Sequence, residues 1–70
     1  MKTITILDQY NKYKSIQVKK SNCSHFYQRQ LINEKSITNW QRVSKDNLMF
    51  TIKAYSNSAA LSLITKSLNL

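Results

Sequence analysis

The chain contains no glycine and no proline. Average usage is about 7% and 5%, so a protein of 70 residues would ordinarily hold several of each. Phosphate-cradling loops, dinucleotide fingerprints and nucleophile elbows all place glycine where the backbone turns sharply or meets a ligand. None of these motifs is present. Left-handed turn positions must instead fall to Asn or Asp, the next most tolerant residues.

Acidic side chains are nearly as scarce: Asp8, Glu34 and Asp46 are the whole complement of three. All fall in or beside expected turns, where a carboxylate serves turn geometry. A paired-carboxylate mechanism needs two acids held across a cleft, and magnesium-dependent phosphoryl transfer needs acidic ligands. Neither is expected. Cys23 and His25 are the sole cysteine and histidine, so together they supply two ligands where structural zinc takes four. No carboxylate lies close in sequence to orient the imidazole. A non-enzymatic protein without cofactor or metal is expected.

One cysteine excludes an intramolecular disulfide, on which small secreted domains usually rely. Asn22-Cys23-Ser24 fits the glycosylation pattern, but the first residues alternate instead of forming an apolar signal core. No apolar run approaches the roughly 20 residues of a membrane span. The expectation is one domain over residues 1–70, cytoplasmic in a bacterial cell or infected host, with no membrane association.

Against these absences stands an excess of positive charge. Eleven Lys and Arg against three acids give a formal charge of +8. Such a field attracts nucleic acid or acidic proteins. A chain this short buries only roughly 60% of the surface its unfolded form exposes, which leaves little room for a deep cleft. A gripping surface is easier to provide.

Asn11, Asn22, Asn33, Asn47 and Asn57 recur in polar clusters at intervals of about ten residues, a spacing typical of short antiparallel strands. Residues 2–8 and 14–20 alternate and read as a hairpin, with Ile4, Ile6, Ile16 and Val18 on one face. Residues 24–32 fit both helical and strand periods, and the strand is preferred for its register. A turn at Glu34-Lys35 would set Ile32 opposite Ile37 and Phe26 opposite Val43. A second turn at Asp46-Asn47 would join strands 36–45 and 48–55 and set Val43 opposite Phe50. Phe26, Ile32, Ile37, Val43, Phe50 and Ile52 would then share one face. The C-terminal segment reads as a helix capped at Ser56, Asn57 or Ser58, with Ala60, Leu61, Ile64 and Leu68 as its apolar stripe. The predicted fold is α+β, a small antiparallel meander of four to five strands covered on one face by a C-terminal α-helix.

One helix covers one sheet face. The other would carry Tyr27, Arg29, Leu31, Trp40, Arg42, Met49, Lys53 and Tyr55, with Lys19 and Lys20 at the end of a neighbouring strand and Lys12 and Lys14 at its start. Aromatic and cationic side chains interleave there without an acid. Rings stack on bases and cations neutralise phosphates, so the expected partner is nucleic acid, single-stranded or read through its backbone. Tyr27, Trp40 and Tyr55 are the expected stacking residues; Lys19, Lys20, Arg29, Arg42 and Lys53 are the expected phosphate contacts.

The same residue types form protein–protein hot spots. In size and general character, though in no motif, the chain is similar to small phage or mobile-element proteins that block host defence enzymes, including anti-CRISPR proteins. That resemblance implies an inhibitor bound to an acidic or nucleic-acid-handling protein. Homo-oligomers through the open face or an unpaired edge strand are compatible with either partner.

Overall fold

The computed structural model describes residues 3–70; residue 2, the first of the expected strand 2–8, lies outside them. The Thr-Ile alternation forms β1 (Thr3–Leu7), and Ile16 and Val18 lie within β2 (Lys14–Lys20). The two pair antiparallel, Ile4 opposite Val18 and Ile6 opposite Ile16. Two side-chain turns join them without glycine. Asp8 Oδ1 accepts from the Tyr10 amide at 2.8 Å and Asn11 Oδ1 from the Tyr13 amide at 3.0 Å, the local bonding that suits Asx residues to turns.

The ambiguous segment is a strand, β3 (Phe26–Ile32), antiparallel to β2 with Lys19 opposite Tyr27 and Gln17 opposite Arg29. A hairpin leads to β4 (Lys35–Ser36). Its turn is Asn33-Glu34, at φ 51° and 67°, and not Glu34-Lys35. Two successive positive φ values match the twist of a two-residue hairpin, and Asn33 tolerates the first of them. Ile32 therefore faces Lys35 instead of Ile37.

Past Ser36 the chain detours through residues 37–40 and returns as β5 (Gln41–Val43), which pairs β3 with Phe26 opposite Val43. Between those two registers β3 advances six residues, from 32 to 26, while the returning chain advances eight, from 35 to 43. The two extra residues form a bulge. It leaves no gap in bonding at Gln30, whose amide donates to Thr38 Oγ1 at 2.9 Å and whose carbonyl accepts from the Ile37 amide at 2.9 Å.

The expected hairpin at Asp46-Asn47 does not form. Residues 45–55 are a helix, α1 (Lys45–Tyr55). Ser44 caps it, accepting from the Asn47 amide at 3.2 Å. Asp46 lies in the first turn and Lys53 in the last, charges that complement the helix dipole. Leu48 and Ile52, four residues apart, are both fully buried. Phe50, expected inside, is 76% exposed, and Ile32 and Ile37 also lie at the surface.

The predicted C-terminal helix is α2 (Ser58–Leu68), capped by Asn57, whose Oδ1 accepts from the Ala60 amide at 2.9 Å. Asn69 closes it in the left-handed conformation. The cover is thus two helices, not one. Ile6, Ile16, Val18, Leu48, Ile52, Ile64 and Leu68 form the core between them and one sheet face, with Phe26, Val43 and Tyr55 packed at its margin.

Candidate functional site

Side chains alternate across a strand, so the residues between the core positions point to the face that the helices leave open. The antiparallel registers align them in rows. Thr3, Lys19, Tyr27 and Arg42 form one row, and Thr5, Gln17 and Arg29 the next. Leu7, Ser15, Leu31 and Ser36 form a third, in which Ser15 and Leu31 are buried, so the face is accessible at the first two rows and covered at the centre of this one. No acidic residue stands in any of them.

Trp40 comes from the detour between β4 and β5 and lies half-buried beside these rows. The Lys19 ammonium is 4.0 Å from the centre of its ring, and the Arg29 guanidinium carbon is 4.6 Å from it. Lys19 is also 5.9 Å from the Tyr27 ring. Each contact of this kind contributes about 0.5–1 kcal/mol at an accessible site. Two cations on one ring repel each other, and the negative ring face offsets part of that repulsion where a carboxylate would normally do so.

A bonded row fixes the arrangement from below. Arg29 Nε donates to Gln17 Oε1 at 2.7 Å, and Gln17 Nε2 donates to Thr5 Oγ1 at 3.3 Å. Each contact is local in space but spans at least two strands, so the geometry depends on the whole sheet being formed.

The structure therefore brings together Lys19, Tyr27, Arg29, Trp40 and Arg42. It does not bring Lys20, Lys53 or Tyr55 to them. Lys20 pairs with Phe26 in the helix-side alternation, its ammonium 5.8 Å from the Phe26 ring. Lys53 and Tyr55 lie on α1, as does Met49. Lys53 is exposed, and Tyr55 packs against the core while its carbonyl accepts from the Gln9 amide at 3.1 Å. The placements of Lys53, Tyr55 and Met49 follow from helix replacing strand over residues 45–55; that of Lys20 follows from the alternation of β2.

Two features escaped the sequence. Gln17 shares the Lys19 face by simple alternation, a signal that was available. The second is a shallow cleft of about 360 Å³ lined by Ser24, His25, Phe26, Arg42, Val43, Ser44 and Lys45, which arises only once α1 starts beside β5. Arg42 belongs to both cleft and open face, so the positive surface continues from one to the other. Among the described residues no three His, Cys, Asp or Glu side chains gather as a metal ion would require, and no helix is long and apolar enough to cross a membrane.

Comparison with known proteins yields no match: no family model fits the chain, and no curated protein or solved structure resembles it significantly.

Proposed function

We propose that this protein binds nucleic acid, chiefly single strands, through the open face of its sheet, and acts in the cytoplasm by binding instead of by catalysis. The observation that carries this reading is the gathering of Lys19 and Arg29 on the Trp40 ring, beside Tyr27 and Arg42, on a face without an acid. A phosphate approaching this face meets cations already held in place. A base can stack on the accessible part of the ring. The five residues lie within three neighbouring strands and one detour, a footprint suited to a few nucleotides.

Titration of labelled single-stranded DNA and RNA against salt tests the reading. Log affinity should fall linearly with log salt, by about 0.7 per phosphate neutralised on a single strand. Binding that is absent at low salt, or insensitive to salt, overturns it.

A second reading draws on Phe50, whose side chain is 76% exposed on α1. An exposed aromatic away from the cationic face suits a protein partner, and Trp, Tyr and Arg are hot-spot types. On this reading the protein occupies a nucleic-acid-handling complex and blocks it, as small phage inhibitors do. Purification from the native host with nuclease added separates the two, because a stoichiometric protein that survives nuclease favours the second.

A further inference from the structure

The two edges of the sheet differ in kind. One is broken: β4 has two residues and β5 three, and the detour between them interrupts the line. The other edge is β1, an unbroken run of Thr-Ile-Thr-Ile-Leu. Proteins usually protect such an edge with charge, proline or a bulge, and β1 has none of them.

The bonding pattern shows which groups are free. The Asp8 amide donates to the Lys14 carbonyl, so in this antiparallel ladder the even residues of β1 bond β2. The amides and carbonyls of Thr3, Thr5 and Leu7 then point away from the sheet. Among the described residues no backbone bond outside the ladder engages them. On the helix side of the same edge lies an apolar depression of about 320 Å³, lined in part by Leu7, Ala60, Leu63 and Ile64. Leu7 and Leu63 are each 69% exposed.

We infer that β1 is a homodimerisation edge, and that its occupant is β1 of a second copy. An antiparallel pair centred on Thr5 sets Thr5 opposite Thr5, Ile4 opposite Ile6 and Thr3 opposite Leu7. Both members are then the same patch, as a two-fold interface requires. The central pair exchanges two of the free main-chain bonds, and the partner's half-buried Ile4 enters on the side of the depression. The edge offers a foreign strand no charge to recognise; what it offers is the Thr-Ile alternation that this chain itself carries. Helices of both copies fall on one side, and the two open faces join into one continuous surface.

The pairing does not depend on the nucleic-acid reading, and its salt dependence has the opposite sign. Two chains of charge +8 repel, so added salt should strengthen the dimer while weakening nucleic-acid binding. Sedimentation equilibrium of nuclease-treated, nucleic-acid-free protein should show a monomer–dimer equilibrium with a Kd of about 10–100 µM, the weak class expected of a small interface, tightening as salt rises. Thr5→Pro removes the outward amide, a change tolerated at an edge, together with the hydroxyl that accepts from Gln17, whereas Thr5→Val removes that hydroxyl alone; the proline variant should weaken the dimer at least about tenfold and the valine variant should not. In the unmodified protein, the Thr5 and Leu7 amides should gain exchange protection with concentration, while Ile6, already bonded to β2, should not. A monomer throughout that range at high salt overturns the inference. So does a dimer untouched by Thr5→Pro, or concentration-dependent protection confined to residues outside β1.

Discussion

Gln17 and Arg29 face each other across β2 and β3, and a 2.7 Å bond joins Gln17 Oε1 to Arg29 Nε. A guanidinium held through Nε is fixed in position while its two terminal nitrogens are left for a bidentate anion. The same guanidinium lies against Trp40. Gln17 thus orients a cation without changing the charge of the face, which makes positioning and charge separable by experiment.

Gln17→Leu should therefore lower single-strand affinity by roughly fivefold, the effect of losing one hydrogen bond of about 1 kcal/mol. The slope of log affinity against log salt should stay unchanged, since every cation remains. A shallower slope in this variant would mean that Gln17 acts through something other than orientation.

Trp40 and Lys19 touch but should respond differently. Trp40→Ala removes a stacking surface and should weaken binding by about 1–3 kcal/mol with little change in slope. Lys19→Gln removes a phosphate contact and should shallow the slope by about 0.7. Titration of each variant at several salt concentrations checks both. Trp40 lies outside the core cluster, so its loss should leave the fold intact by circular dichroism.

Lys53 provides the contrast. It lies on the last turn of α1, on the element that covers the opposite face. Lys53→Gln carries the same charge change as Lys19→Gln. It should nevertheless alter affinity less than twofold, within about 0.4 kcal/mol. Equal effects of the two substitutions would show that bulk charge, and not the arranged face, drives binding.

The difference between these two lysines also shows what was legible in the sequence. Lys19 belongs to a strand whose alternation is local, and that alternation separates it from Lys20, although the expected site took both. Tyr27 and Arg29 followed from the same period-two argument. Lys53 directly follows Leu48-Met49-Phe50-Thr51-Ile52, where β-branched and aromatic residues mimic a strand. Phe50, Ile52 and Ala54 alternate, but Leu48 and Ile52 also stand one helical turn apart. Only the packing of both onto the sheet decides between these periods. The capping role of Ser44 was visible in principle, yet Asp46-Asn47 reads equally well as a hairpin turn. Trp40 reached the open face through the bulge at residues 37–40, a feature that no local propensity announces.

The helix over residues 45–55 has a direct thermodynamic signature. A strand in the expected register would bury Phe50 beside Ile52, whereas the helix buries Leu48 and Ile52 and leaves Phe50 in solvent. Removing a buried Leu or Ile side chain costs about 2–5 kcal/mol, while surface substitutions usually stay within about 0.5 kcal/mol. Total stability in small proteins is of the same order, so Leu48→Ala and Ile52→Ala should be largely unfolded or nearly so at room temperature. Phe50→Ala should keep its urea midpoint close to that of the parent chain. Ser44→Ala should fall between, losing about 1 kcal/mol from the missing cap. Urea unfolding followed by circular dichroism ranks the four variants. A Phe50→Ala loss as large as that of Ile52→Ala would require Phe50 to be buried, and with it the strand in place of the helix.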